Sequence, residues 1–187
     1  MSIRRYCLLL LLLIPQITFA LDLTTEDMFF DVKNVTLSMS DGVEDGCLPN
    51  PQSVSARMAA ALRRNAFIIA DPENSPRSTP DVEVNALGYA VNEDCVVVFT
   101  VALSRKLNAD VPHAANLPAA DQQASITVKL PVYRSLLSGD RQGMQTQIEH
   151  EVDRAGDELG VAVDDAKSSV KANWPQLWEA YSAVQVD

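Results

Sequence analysis

The chain has 187 residues, with 25 acidic against 15 basic side chains, a formal charge of −10 and a hydrophobic fraction of 47%. That length holds one domain with a single core, and that apolar content excludes wholesale disorder. The acidic balance disfavours nucleic acid and anionic membrane surfaces as partners.

The N-terminus reads as an export signal. Arg4 and Arg5 form a positive n-region, and Leu8 to Ile14 is an unbroken apolar run. Thr18-Phe19-Ala20 then sets a small residue on each side of Phe19, as signal peptidase requires. The apolar run is shorter than the about 20 residues that a spanning helix needs. Residues 1–20 are therefore expected to be a signal peptide cleaved after Ala20, and residues 21–187 a single periplasmic α+β domain. No lipobox precedes Cys7, and the Leu-rich run fits general secretion better than a twin-arginine route. No second long apolar segment exists, so no membrane insertion of the mature chain is expected. Losing Arg4 and Arg5 makes that chain more acidic still.

Val35, Leu37 and Met39 alternate with polar Thr36 and Ser38, which predicts a strand with one buried face. Asp41-Gly42 and Asp45-Gly46 mark turns leading to Cys47. Asn50-Pro51 reads as an N-cap with proline at the first helical position, followed by Val54, Met58, Ala61 and Leu62 on one apolar face. Arg57, Arg63 and Arg64 form a basic patch on that helix, and Asn65 is its C-cap. Ala66 to Ala70 reads as a short buried strand. Asp71 to Asp81 holds three prolines and is a loop. Val82 to Val91 alternates only loosely. Val96 to Val101 is the strongest β signal of the chain, joined to the preceding run by a hairpin turn at Asn92-Glu93-Asp94.

Asn108 to Ala124 lacks periodicity and is expected to be a long loop of functional interest. Within it Asp110, Val111, His113, Asn116, Leu117 and Asp121 are the candidate partner-binding residues. Ile126, Val128, Leu130 and Val132 then predict another half-buried strand. From Asp140 a helix follows, with Ile148, Val152, Ala155, Leu159, Ala162, Ala166 and Val170 as a narrow apolar stripe facing the sheet. Glu149, His150 and Asp153 are expected on its exposed side. Gly156 and Gly160 either let this helix approach the sheet or bend it; one long helix is the favoured reading. Trp174, Leu177, Trp178 and Tyr181 predict a short terminal helix docked by its aromatic side chains.

Cys47 and Cys95 are the two cysteines of the mature chain, an even pair in an oxidising compartment, and are expected to form a disulfide between helix and sheet. The whole reads as α+β, a mainly antiparallel sheet of four to five strands with two main helices packed on one face.

No phosphate loop or nucleophile elbow is present. Asp41 to Gly46 fails as a calcium loop, because Val43 stands where an oxygen donor is required. His113 and His150 lack a second ligand at helical spacing, so no metal and no cofactor is expected. The carboxylates of the long helix are scattered around it, as on a solvated face.

In the order of Cys47, the Asn50-Pro51 helix, the hairpin ending in Val96 to Val101 and the helix from Asp140, the chain resembles small exported bacterial α+β proteins. It is similar in the same way to the N-terminal domain of the periplasmic protein of the Tol-Pal system and to accessory domains of outer-membrane lipoproteins. The resemblance implies partner binding and no catalysis; it carries no site residue.

The expected function is a non-enzymatic periplasmic binding or envelope-assembly accessory protein, with another envelope protein, favoured by charge if cationic, as its partner. The alternative is an inhibitor or immunity protein against a cationic hydrolase, with the loop at Asn108 to Ala124 plugging a cleft. A hydrolase working through Asp and Glu alone ranks third.

Overall fold

The computed structural model describes residues 27–44, 46–110 and 123–184. Its elements are a 3-10 turn Asp27–Phe29, β1 Asn34–Val43, α1 Pro51–Arg64, β2 Ile68–Ile69, β3 Asp81–Val91, β4 Asp94–Asp110, β5 Gln123–Asp140, α2 Arg141–Asn173 and α3 Pro175–Val184. The signal peptide expected at residues 1–20 lies outside the described residues.

The five strands form one sheet in the order β2-β1-β3-β4-β5. β1 runs parallel to both β2 and β3, while β3, β4 and β5 follow as antiparallel neighbours. The sheet is thus mixed, which corrects the mainly antiparallel expectation. The cause is α1, which carries the chain back along the sheet between β1 and β2 and so obliges β2 to run parallel. Residues 71–80 return it again, and β3 enters on the far side of β1.

α1 starts where Asn50 accepts a hydrogen bond from the Ser53 amide at 3.1 Å, with Pro51 at the first helical position. Its buried face is Val54, Met58, Ala61 and Leu62, as the spacing predicts. β3 alternates more strictly than its sequence indicates: Val82, Val84, Ala86 and Gly88 are all buried, but the last two are too small to announce a core position. The Ala66 to Ala70 strand shrinks to two residues at the sheet edge, where Ile68 is exposed and Phe67 carries the burial.

β5 contains a bulge. Val101 faces Tyr133 and Ala102 faces Pro131, so Val132 is the extra residue. Before it Val128 and Leu130 point to the helices; beyond it Tyr133 and Leu137 do. The predicted alternation therefore holds through Leu130 and changes parity at Val132.

α2 is continuous for 33 residues, capped by the Asp140 carboxylate accepting from the Gly143 amide at 2.7 Å. At 1.5 Å per residue it is about 50 Å long. Met144, Ile148, Val152, Ala155, Leu159, Val163, Ala166 and Val170 are buried. Val163 replaces the expected Ala162, because a stripe stepping strictly by three and four drifts on a helix of about 3.6 residues per turn. The two glycines serve the approach of α1 rather than of the sheet. A Cβ at Gly156 would lie 2.5 Å from Ala61 Cβ, and one at Gly160 would lie 2.7 Å from Asn65 Oδ1.

The core joins Val82, Val84, Val97, Phe99, Val101 and Leu103 of the sheet to Met58, Leu62, Ile148, Val152 and Leu159 of the helices. Each of the large side chains contributes about 1.5–3 kcal/mol by burial. Cys47 and Cys95 are bonded, with Cα atoms 5.8 Å apart, and tie the entry of α1 to β4 as expected. α3 docks through Tyr181, whose ring meets Phe30 edge-on at 5.1 Å, with Trp178 beside it. No helix among the described residues is long and apolar enough to cross a membrane.

Candidate functional site

Both long helices lie on one face of the sheet; among the described residues nothing covers the other. Strand register sorts that open face into rows. Gly42 of β1, Leu87 of β3, Val98 of β4 and Leu136 of β5 form one row, and Tyr89, Val96 and Ser138 the next. Leu87 is 66% exposed, Tyr89 55% and Leu136 70%, with Val96 and Val98 half-buried between them. Gly42 adds no side chain; a Cβ there would lie 3.0 Å from Leu87 Cδ1. This is a contiguous apolar patch at the end of the sheet that holds the β3–β4 turn.

The opposite end of the same face is polar. Asp81 accepts from Thr36 Oγ1 at 2.7 Å and from Ser38 Oγ at 2.5 Å. Glu83 pairs with Lys129 at 2.5 Å. Burial pushes the Glu83 carboxyl up, but Lys129 and a hydrogen bond from Ser104 outweigh it and hold the group below the usual carboxylate range. Residues 72–79 wall this end into a groove of about 810 Å³, into which Arg77 and Lys106 also project. Asp81 and Glu83 are close neighbours on one strand face, yet both are engaged as acceptors and Glu83 is held in its charged form. A carboxylate hydrolase needs one acid kept protonated near neutral pH. The groove has the chemistry to hold polar groups.

The sequence candidates fall elsewhere. Asn108 to Asp110 extend β4 and Gln123 to Ala124 begin β5, so the expected loop at Asn108 to Ala124 is shorter than its sequence indicates. Asp110 ends β4, and Val111, His113, Asn116, Leu117 and Asp121 lie outside the described residues. The basic patch on α1 is largely consumed internally. Arg57 reaches Asp153 at 2.6 Å and Glu149 at 3.4 Å, and Arg64 reaches Asp153 at 3.0 Å. Glu149 and Asp153 are accordingly half-buried rather than exposed, since α1 covers them; His150 is exposed as expected. Among the described residues no cluster of His, Cys, Asp and Glu is arranged to hold a metal ion.

Two features escape a sequence reading. Glu151 is buried on α2, where Tyr133 Oη and Arg154 contact it. Burial and this carboxylate together hold the Tyr133 phenol above its ordinary range. The apolar patch was signalled only by Leu87, Tyr89 and Val91, apolar residues at the outward parity of a strand whose inward parity is already apolar.

No protein-family model matches the chain, and no curated protein matches it. Among solved structures it is similar to a minor lipoprotein from Acinetobacter baumannii, at 8% identity over 70% of this chain and 90% of that one, with a TM-score of 0.34. It is also similar to a neuraminyllactose-binding hemagglutinin homolog from Helicobacter pylori, at 14% identity over 82% and 91% of the two chains, with a TM-score of 0.26. Likeness at this level transfers no site and no activity.

Proposed function

We propose that this chain is a non-enzymatic binding or assembly accessory protein of the bacterial envelope, working in the periplasm after loss of residues 1–20. Its partner is another envelope protein, which docks on the apolar end of the open sheet face. The observation that carries this reading is the exposure of Leu87, Tyr89 and Leu136 in adjoining cross-strand rows. Large apolar and aromatic side chains grouped on an otherwise polar surface are what protein interfaces use as anchors. The acidic balance of the chain favours a partner with a basic rim, which speeds encounter and selects against acidic competitors. The disulfide suits an oxidising compartment.

A photo-crosslinking amino acid at Leu87, introduced in cells that export the protein, tests the proposal, with the same probe at Glu73 as control. A discrete adduct is expected from position 87 and none from position 73. Leu87→Asp with Leu136→Asp should leave the unfolding midpoint unchanged and abolish an adduct formed from a probe at Tyr89. An adduct that persists in the double variant would place the interface elsewhere.

A further inference from the structure

Among the described residues the outer edge of β5 is the long free edge of the sheet, with β4 as its one strand neighbour. Beside this edge, between β5 and α2, lies a cleft of about 610 Å³ floored by Leu130, Val132, Val161, Ala162 and Ala166. Val161 is 61% exposed there. Glu158 and Asp165 stand on its rim, and neither has a cationic partner among the described residues, whereas on the other flank of α2 Glu149 and Asp153 meet Arg57 and Arg64. α2 is therefore neutralised on the side that packs on α1 and left negative on the side that looks over the β5 edge.

We infer that this edge and cleft together take up an extended basic segment of another protein by strand addition. Its backbone would pair with β5, its apolar side chains would line up on the helix side with the one beside Leu130 entering the cleft, and its lysines or arginines would reach Glu158 and Asp165. Pro131 has no N–H and Val132 is bulged, so pairing runs along residues 125–130, where Ile126 and Val128 share the helix-side parity with Leu130. There the ribbon has a further reason to accept a strand: beyond Ser104, β4 and β5 pair with no third strand among the described residues, and a two-stranded ribbon is marginal in water. The chain's own residues 21–26, Leu-Asp-Leu-Thr-Thr-Glu, precede the cleft-lining Asp27 but carry two acidic and no basic side chains, against the single α-ammonium that cleavage would leave on Leu21. Charge disfavours them as the occupant.

The test uses a fluorescent octapeptide of alternating lysine and valine, titrated into the purified protein and followed by anisotropy and by amide NMR. Saturable binding is expected, with shifts concentrated in residues 125–130 and about tenfold weakening in Glu158→Lys with Asp165→Lys, whose fold is checked by circular dichroism. The same peptide N-methylated at alternate residues should lose binding, because strand addition needs its amides. Failure of saturation, indifference to the double variant, equal binding of N-methylated peptide or equal binding of a glutamate-valine octapeptide would each overturn the inference. Binding that emerges only after deletion of residues 21–26 would assign the cleft to the chain itself and overturn it as well.

Discussion

At Gly156 one methyl group decides how closely two helices pack. Alanine there gains about 1 kcal/mol of helix propensity, but its Cβ would sit 2.5 Å from Ala61 Cβ on a packed helix. Gly156→Ala is therefore expected to lose a net 1–3 kcal/mol or so, by overpacking, read from urea unfolding. Gly160→Ala should be close to neutral in the same assay, since the atom it meets at 2.7 Å is the turnable end of Asn65. Equal losses at both sites would show that Asn65 cannot turn aside and that the two approaches of α1 are equally tight. Leu159, fully buried, should cost several kcal/mol as Leu159→Asp, which sets an unpaired charge in the core. The two glycines stand out in the sequence as costly helix residues, but nothing local names the element they face. Glu151 was illegible for a related reason: its partner Tyr133 lies on another element, 18 residues away.

Between α1 and α2 the seam is apolar inside and charged along its margin. Hydrogen bonds from Arg57 and Arg64 hold the Asp153 carboxyl below its usual value, and those from Ser53 and Gln145, with Arg57, do so for Glu149. Both acids are thus more acidic folded than unfolded, and their contribution is complete above the unfolded values of 3.8 and 4.5. It is lost as pH falls through and below that range. Stability should decline on acidification across this window, and Asp153→Asn should flatten the decline while lowering stability at neutral pH. An unchanged slope would make the seam charges solvated bystanders. Helix α1 was legible from the cap and the spacing of its apolar face, β1 from its alternation, and β4 over Val96 to Val101 from its β-branched and aromatic run. β3 was blurred because Ala86 and Gly88 are core residues without bulk, and the β5 pattern broke at Val132 because a bulge reverses parity without any composition signal. The open-face patch was half legible, through Leu87 and Tyr89; Leu136 joins it only once register is known.

The molecule as a whole is a one-sided sandwich held by a long crosslink. The Cys47–Cys95 bond closes a separation of 48 residues, which corresponds to about 4 kcal/mol of stabilisation in the chain-entropy model. Cys47→Ala with Cys95→Ala should lower the urea midpoint by about that energy while leaving the far-ultraviolet spectrum of the folded protein intact. A loss below about 1 kcal/mol would mean that the unfolded chain is already compact without the bond. Layering and fold class were readable from element order, since helices separated by hairpins imply α+β. Parallel pairing of β1 was not, because which edge a returning strand chooses depends on the whole sheet rather than on any segment.

That placement of β1 sets an order in time. From Asp81 to Asp140 every strand meets the next one in the chain, and such local contacts form early. β1 must wait for β3, as Thr36 and its partner Asp81 are 45 residues apart, and non-local parallel pairing is slow. The strand made before its sheet neighbour β3 is thus among the last to find its seat. Until it does, one side of β3 and the Cys47 thiol stand open together, and the interval before closure is when a foreign strand or a foreign thiol can take the place of the native one.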